Sequence, residues 1–443
     1  MAQRRKYLSD QEQSNLSRIQ DIPSIKSLVE QVRLFKRFKG VLPLLKPMLK
    51  LLGIKTEQME AALAEVDKLE KKVALLATLP DRFNRQFAAR GWIAYDMFNV
   101  DIAQAAIEKA EAGDSEGAET DLVEYYNEEH IRWHLRTMLA IPAFRPRLSL
   151  LEKALDDYLQ ERYHACVPVV LMQLDGFVSD VGKNNSGFFR QEVNLEAWDS
   201  IAAHSSGLEA LAKLLGKERQ KTTIETLTLP YRHGILHGHD LGYDNKMVAA
   251  KAWAALFAVR EWAYKVEQKE VVAPPKQRSS TLLDTLRTIE NTAKLQSQLK
   301  EWHPRSLHIR VDIPTSGDPE TYEHGGPEQK LVEYLSYWRK RNYGKMAHCL
   351  ALSTLKFHKS LNALAGELRE YYEPRVLKSF TLLEILDPAP AVTTIKVQLS
   401  CEDFGQDSEH IVEYRLLFES ETGKAVMRGA SEGRWGVISP YLV

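Results

Sequence analysis

Residues 231–240 read Tyr-Arg-His-Gly-Ile-Leu-His-Gly-His-Asp, and they hold the densest group of reactive side chains in the sequence. Three of the chain's 13 histidines fall within seven of these residues. Thr228 is a suitable cap for a helix that begins at Pro230, and Gly238 is a suitable end for it. The pattern therefore predicts a very short helix that carries Arg232 and the first two histidines.

Two of three hypotheses for this cluster concern metal binding and structure. His233 and His237 are four residues apart, which puts both on one face of a helix, and His239 or Asp240 would add a third metal ligand. The glutamate of an HExxH motif is absent, however, and no further ligand stands out in the sequence. In the purely structural hypothesis, histidines near a helix end cap it and interact favourably with its dipole.

The third hypothesis is metal-free phosphodiester chemistry. Such a reaction needs a general acid–base group and a permanent cation that holds the phosphate. Histidine suits the first role and arginine the second, because guanidinium pairs with phosphate through two parallel hydrogen bonds. Arg232 precedes both His237 and His239, so spacing alone leaves the partner histidine open. Arg232 and His237 lie about 140° apart on an ideal helix, so a site composed across a dimer interface is one solution.

The sequence around the cluster is helical, and no strand pattern occurs before about residue 300. A long amphipathic pattern that Pro168 is expected to kink precedes the cluster, and an Ala-rich pattern follows it. The predicted helices of this part are 149–181, 208–215 and 246–266. Residues 269–280, with two adjacent prolines and several polar side chains, have the composition of a linker.

Beyond the linker, helical patterns give way to alternating ones. We predict helices at 280–299 and 328–350, a short extended piece at 307–313, and strands at 376–386, 392–401, 410–420 and 425–438. Helices followed by antiparallel strands are typical of an α+β domain. The predicted organisation is a helical N-terminal region (1–145), a helical domain (146–268), the linker (269–280) and an α+β domain (281–443).

Residues 232–238 resemble the Arg-[Asn/Asp/His]-x-x-x-His signature of the HEPN superfamily, in its abortive-infection form RHxILHG. HEPN domains are all-α and are often ribonucleases. Members of this type carry Tyr-x-Ala and Gln-x-Asp-Gly in an upstream helix, and residues 163–165 and 173–176 read Tyr-His-Ala and Gln-Leu-Asp-Gly here. A Gly/Tyr loop and an Ala-rich last helix follow the motif, and the resemblance covers about 150–267.

This resemblance implies a homodimeric, metal-independent endoribonuclease of a defence or toxin type, in which the 2′-hydroxyl of RNA attacks its own phosphate. Arg232 and His237 would be the catalytic pair, with His233, Asp175 and His239 in support and no cofactor. Asp175 has an alternative role as a structural partner of Arg232. Histidine replaces the tyrosine of the His-x-Tyr motif by which some relatives are adenylylated, so that form of silencing is not expected.

Two other functions stay open at this point. Many HEPN domains bind RNA or nucleotides without cleaving them, so the runner-up is a non-catalytic adaptor, and the third is a metal-dependent hydrolase that uses the histidines. For the dimer, we expect close helical approach at the alanines of the last helix, Ala249, Ala250, Ala252, Ala254, Ala255 and Ala258.

The C-terminal domain resembles the nuclear transport factor two-like (SnoaL-like) fold, a cone of cystatin-like type in which helices cover a curved antiparallel sheet. The residues behind this resemblance are 331–347 and the strands that follow. The fold implies either a ligand pocket or a protein interface. Tyr334, Trp338 and Trp435 are candidate pocket residues, although aromatic residues of this kind are more often plain core.

Composition limits the remaining classes. The chain has 443 residues, 59 Lys and Arg against 60 Asp and Glu, and a net charge of −1, so overall charge gives no argument for nucleic-acid binding. Three cysteines without a CxxC pair argue against a disulfide framework. The charged N-terminus lacks the apolar core of a secretory signal, and no apolar run reaches about 18 residues. We expect a cytoplasmic protein without stable membrane insertion.

Overall fold

The computed structural model describes residues 18–51, 66–182, 187–190, 193–204, 206–268, 299, 301–355, 360–403, 405–429 and 433–438. The chain divides into two compact units, 1–296 and 297–443. The first unit is mostly helical and the second contains an antiparallel sheet, so the predicted order of α followed by α+β is confirmed at that level. The predicted regions 1–145 and 146–268 lie in one unit. The predicted linker, and the helix predicted at 280–299 except residue 299, lie outside the described residues.

The first unit is built mainly from α-helices. In chain order they are α1 (Pro23–Leu51), α2 (Val66–Phe87), α3 (Val100–Glu111), α4 (Ser115–Tyr125), α5 (Glu128–Met138), α6 (Leu148–Leu159), α7 (Tyr163–Gly182), α8 (Leu208–Leu215), α9 (Arg232–Leu236), α10 (Lys246–Ala258) and α11 (Arg260–Gln268). The core helices are α7 and α10, which pack against each other. Every residue of α10 from Val248 to Ala258 is buried, including Lys251, so this part of the helix is covered on every side.

The helix predicted over 149–181 is wrong in one respect: it consists of two helices, α6 and α7. The break lies at Gln160–Arg162, where Glu161 adopts the left-handed φ of 58°. Pro168 lies inside α7, within its first two turns. The break reverses the chain, so that α6 and α7 pack side by side. Asp175 therefore lies on a helix, α7, that packs against both α6 and α10.

The last helix of the first unit also differs from the prediction, because it is divided into α10 and α11 at Val259. The expectation that its alanines serve a dimer contact is wrong. All six are buried inside the unit, where neighbouring helices cover them: Ala249, Ala250, Ala252, Ala254, Ala255 and Ala258. Small side chains here allow close packing within one chain, and α7 is the neighbour with which α10 packs most extensively.

The second unit places helices before a four-stranded sheet. The helices are α12 (Pro327–Arg339), α13 (Tyr343–His348), α14 (Leu352–Leu355) and α15 (Leu361–Tyr372), and the strands are β1 (Arg375–Ala389), β2 (Val392–Asp403), β3 (Gln406–Ser420) and β4 (Gly433–Val437). The strands form an antiparallel meander in the order β1-β2-β3-β4. All four predicted strands are therefore confirmed, with β4 shorter than expected. Register shifts in β1 interrupt its pairing with β2 at three places.

Two predicted elements of this unit are corrected. The helix predicted over 328–350 ends at Arg339 and resumes at Tyr343, because Arg341 takes a left-handed φ of 52°. The piece predicted as extended at 307–313 is a turn closed by a bridge between Ile309 and Ile313.

The three aromatic residues proposed for a C-terminal pocket belong to the core. Tyr334, Trp338 and Trp435 are all buried in one apolar cluster between the helices and the sheet. Trp338 donates from its indole nitrogen to the carbonyl of Arg375 at 2.9 Å, and Tyr334 bonds to the hydroxyl of Tyr372 at 3.2 Å. The core role is confirmed for all three.

One helix in the described part of the chain, α7, is long and apolar enough to cross a membrane by length and composition. A core helix of a compact protein meets the same criterion. The contacts of α7 with α6, α10 and α11 account for its apolar face inside the first unit.

Candidate active site around Arg232 and His237

The segment that leads into α9 is fixed by a buried ion pair. Lys251 of α10 is 1% exposed, and its Nζ donates at 2.8 Å both to Glu119 Oε1 and to the carbonyl of Thr228. Arg90 and the indole of Trp92 also donate to Glu119, at 2.6 and 3.0 Å. Burial alone would raise the pKa of Glu119, but these three donors hold it below its usual value. The backbone at Thr228, shortly before α9, is thus bound to the core of the first unit.

The short helix α9 has five residues, and it differs from the prediction at its start. Tyr231, not Thr228, is the capping residue, and it supplies no side-chain cap. Thr228 has a different role, because its carbonyl accepts from Lys251. The end agrees with the prediction, since Gly238 follows the helix with a left-handed φ of 72°.

The residues after α9 return against it and lock its geometry. The carbonyl of Gly234 accepts from the backbone N–H of His239 at 2.7 Å and of Asp240 at 3.0 Å. The Asp240 carboxylate lies so close that a Cβ at Gly234 would be 1.9 Å from its Oδ2. Any side chain at 234 would displace this carboxylate, so the glycine of the motif has a steric reason.

Asp240 is fully buried and is held by Arg219. The Arg219 Nε donates to both carboxylate oxygens, at 3.1 and 3.2 Å, and its guanidinium lies 4.8 Å from the centroid of the Tyr231 ring. Backbone bonds between Thr223 and residues 239–241 complete the turn. The Asp240 carboxylate therefore pairs with Arg219 and lies against Gly234, so it stabilises the turn that follows α9.

Arg232 and Asp175 meet, although they are 57 residues apart in sequence. Arg232 Nη2 donates to Asp175 Oδ2 at 3.2 Å, and the two side chains are 26% and 25% exposed. The other oxygen of Asp175 accepts from the N–H of Phe189 at 3.4 Å. Arg232 Nε is buried and has no hydrogen-bond partner among the described residues. The guanidinium is therefore anchored at one end and partly open to solvent.

The Gln-Leu-Asp-Gly pattern of α7 is explained by two arginines. Asp175 faces Arg232, whereas Gln173 accepts from Arg147 Nη1 at 3.1 Å. Arg147 also forms an ion pair with Asp180, and its guanidinium passes so close to Gly176 that a Cβ there would lie 2.8 Å from Nη1. The two polar positions of the pattern thus bind different cations on adjacent parts of one helix.

The Tyr-His-Ala pattern at the start of α7 contacts the loop that follows the motif. Tyr243 donates its hydroxyl to the carbonyl of His164 at 3.1 Å, and the N–H of His164 donates to Asp244 Oδ1 at 2.8 Å. The Tyr-His-Ala pattern therefore contacts residues 243 and 244, and the Gln-Leu-Asp-Gly pattern contacts Arg232.

The histidines of the motif are close together but differ in exposure. The rings of His233 and His237 stack at a centroid distance of 5.7 Å with 17° between their planes. His237 is exposed and follows the last residue of α9, while His233 and His239 are half-buried. Within the described residues, no group of three or more His, Cys, Asp or Glu side chains is arranged to share a metal ion. The segment thus carries an exposed imidazole, that of His237, and a partly exposed guanidinium, that of Arg232.

Comparison with protein-family models, with curated proteins and with solved structures finds no match to this chain.

Several residues that shape the site were not predicted from the sequence. Lys251 had a usable signal, because a lysine inside the otherwise apolar stretch 247–258 implies a buried partner. Arg219 and Arg147 had none, since each meets its partner only through the tertiary fold. Asp240 was considered as a metal ligand and instead binds Arg219.

Proposed function

We propose that this protein is a metal-independent endoribonuclease of a defence or toxin type, with a HEPN-like site in its first unit. The observation that carries the proposal is the contact of Arg232 with Asp175, in the same short segment that exposes His237. Asp175 belongs to the Gln-Leu-Asp-Gly pattern and Arg232 to the RHxILHG pattern, and both patterns are part of the HEPN resemblance. A cation held at one end by a carboxylate keeps its other N–H groups available for phosphate.

The proposed reaction uses the ribose of the substrate as its nucleophile. His237 removes the proton of the 2′-hydroxyl, and the 2′-oxygen forms a bond to the adjacent phosphorus. The bond from phosphorus to the 5′-oxygen breaks, and this oxygen takes up a proton. The products are one strand with a 2′,3′-cyclic phosphate and one with a free 5′-hydroxyl, so atoms and charges balance without a metal or a cofactor.

Arg232 is proposed to hold the phosphate while negative charge accumulates on its non-bridging oxygens. Fixed charge is effective here because no reorganisation is needed during the reaction. Asp175 is a positioning residue, since it touches the guanidinium and is not proposed to contact RNA. His233 stacks on His237 and limits the orientation of that imidazole.

We further propose that the site is completed by a second copy of the chain in a cytoplasmic homodimer. One copy offers one exposed His237, whereas the reaction needs one group to accept a proton and another to donate one. A twofold axis brings the same patch together from both chains and supplies both groups. For the second unit we propose a nuclear transport factor two-like cone that binds a ligand or a protein partner.

A pair of matched substrates tests the proposal. The purified chain is incubated with a single-stranded RNA and with DNA of the same sequence, and products are separated by size. Cleavage of RNA alone is expected because DNA lacks the 2′-hydroxyl. Binding of RNA without cleavage would contradict the enzyme and favour a non-catalytic adaptor. Cleavage of DNA at a similar rate would contradict the proposed nucleophile.

A further inference from the structure

A shallow, open cationic cleft lies in the second unit, next to the apolar core against which Tyr343 and Ala365 pack. It has a volume of about 520 Å³ and lies between the turn that joins α12 to α13 and one face of α15. Its lining residues are Lys340, Arg341, Asn342, Tyr343, Gly344, Ala365, Gly366 and Arg369. Small-molecule sites generally have volumes of about 300–1,000 Å³, so the cleft is large enough for a ligand of nucleotide size.

The charges on the cleft favour an anion. Three of the lining side chains are cations, Lys340, Arg341 and Arg369, and all three are exposed. The lining includes no carboxylate, although Glu373 approaches Arg369 at 3.4 Å from one turn further along α15. Such a surface pair contributes little in water and is easily exchanged for a phosphate that contacts several cations at once.

The backbone of the turn adds two further observations. Arg341 holds a left-handed φ of 52°, a conformation that disfavours an arginine, and this turn places it on the cleft. Tyr343 lines the cleft, and its hydroxyl is buried without a hydrogen-bond partner in the described part of the chain. The N–H groups of Arg341 and Asn342 donate to the carbonyls of Trp338 and Tyr337, both at 2.8 Å, so hydrogen bonds fix the turn that presents Arg341 on the cleft.

We propose that this cleft binds a small phosphate ester of nucleotide size through Lys340, Arg341 and Arg369. Gly344 and Gly366 have no side chains, so they leave room beside the cations for the organic part of the ligand. The proposal concerns the second unit alone and does not depend on ribonuclease activity in the first unit.

Isothermal titration calorimetry of the full chain tests it, with ATP in metal-free buffer as the probe and adenosine as the probe without phosphate. ATP is expected to bind with one site per chain, and adenosine at least tenfold more weakly. The double variant Arg341→Asn/Arg369→Gln is expected to weaken ATP binding at least tenfold. Asparagine tolerates the left-handed conformation, so the variant removes charge without adding strain.

The matched control is Arg310→Asn, which removes another exposed arginine of the same unit that also has a left-handed φ, of 77°, and lies outside the cleft. It is expected to leave ATP binding unchanged. If the double variant does not fold, Lys340→Gln alone is expected to weaken binding several-fold.

Three results would overturn the proposal. These are no ATP binding at millimolar concentration, equal binding of adenosine, or ATP binding that neither cleft variant changes. A single-stranded oligoribonucleotide that binds in a cleft-dependent way, when ATP does not, would reassign the surface to RNA.

Discussion

Among single residues, the proposed catalytic site depends on an arginine and a histidine with different surroundings. Arg232 is fixed by Asp175 and partly exposed, while His237 stands in solvent beside His233. The pairing of Asp175 with Arg232 was one of the two roles that the sequence left open. The contact is compatible with both roles, because a structural partner and a positioning residue bind the same guanidinium.

Substitution separates these roles. Arg232→Ala and His237→Ala are each expected to lower the RNA cleavage rate by at least about 100-fold, since each removes a group that acts in the transition state. Each is expected to change the free energy of unfolding by no more than about 1 kcal/mol, because neither side chain is in the core. Cleavage assays and urea denaturation measure the two effects. His239→Ala separates the two histidines and is expected to lose much less activity than His237→Ala; equal loss would mean that the wrong histidine was chosen.

His134 predicts a pH dependence of stability. Burial lowers its pKa to about 3, below the ordinary value of 6.5, and its ring stacks on Phe257 at 4.4 Å. Between these values the unfolded chain binds a proton that the folded chain does not. The stabilisation is therefore complete above pH of about 6.5 and declines as the pH falls toward 3.

Between pH 7 and 5.5, this group is expected to cost about 1 kcal/mol of unfolding free energy. His134→Phe keeps the stacking contact and removes the titration, so its stability is expected to fall less over this range. Urea denaturation at the two pH values measures the difference. Equal losses in the two proteins would show that His134 does not titrate as its burial implies.

At the scale of elements, the sequence predicted the types of helix and strand better than it predicted their breaks. The helix at Leu208–Leu215 has the predicted ends, and all four predicted strands form. Apolar periodicity continues through Glu161 and Arg341, where each helix actually ends in a left-handed residue. Neither residue is a glycine, so the left-handed positions themselves are not marked in the sequence. The break at Arg341 does have a local signal in Asn342, whose side chain caps α13.

The left-handed turn between α6 and α7 gives a direct test. Glu161→Gly is expected to stabilise the fold by about 1 kcal/mol, because glycine adopts φ of 58° without steric cost. The control is Lys153→Gly at an exposed position inside α6, which is expected to destabilise the protein by about 1 kcal/mol. Thermal or urea unfolding measures both. If Glu161→Gly destabilises the protein as Lys153→Gly does, the two helices are one in solution.

The site shows the same division between local and distant information. The length of α9 was nearly predicted because Gly238 marks its end in the sequence. Its position was not, because Lys251 and Arg219 hold the residues on either side of it, Thr228 and Asp240, from other parts of the fold. Contacts of this kind depend on the packing of α10 against its neighbours, and a single sequence contains no direct record of it.

At the scale of the whole molecule, the main expectation is a homodimer with the two His237 side chains near one another. The buried alanines of α10 leave this contact to the exposed surface around α9. Light scattering is expected to give twice the chain mass. A crosslinker between cysteines introduced at Leu241, an exposed position four residues after His237, should join two chains. A monomer, or a dimer that these cysteines do not crosslink, would contradict a site shared between chains.

The most direct test of the central claim is cleavage of RNA in excess EDTA, with the product ends determined. We expect cleavage that EDTA does not slow, with 2′,3′-cyclic phosphate and 5′-hydroxyl ends on the products. The Arg232→Ala variant is expected to give no products. Cleavage that EDTA abolishes would contradict it and favour a metal-dependent hydrolase. An absence of cleavage together with RNA binding would contradict it in favour of an adaptor.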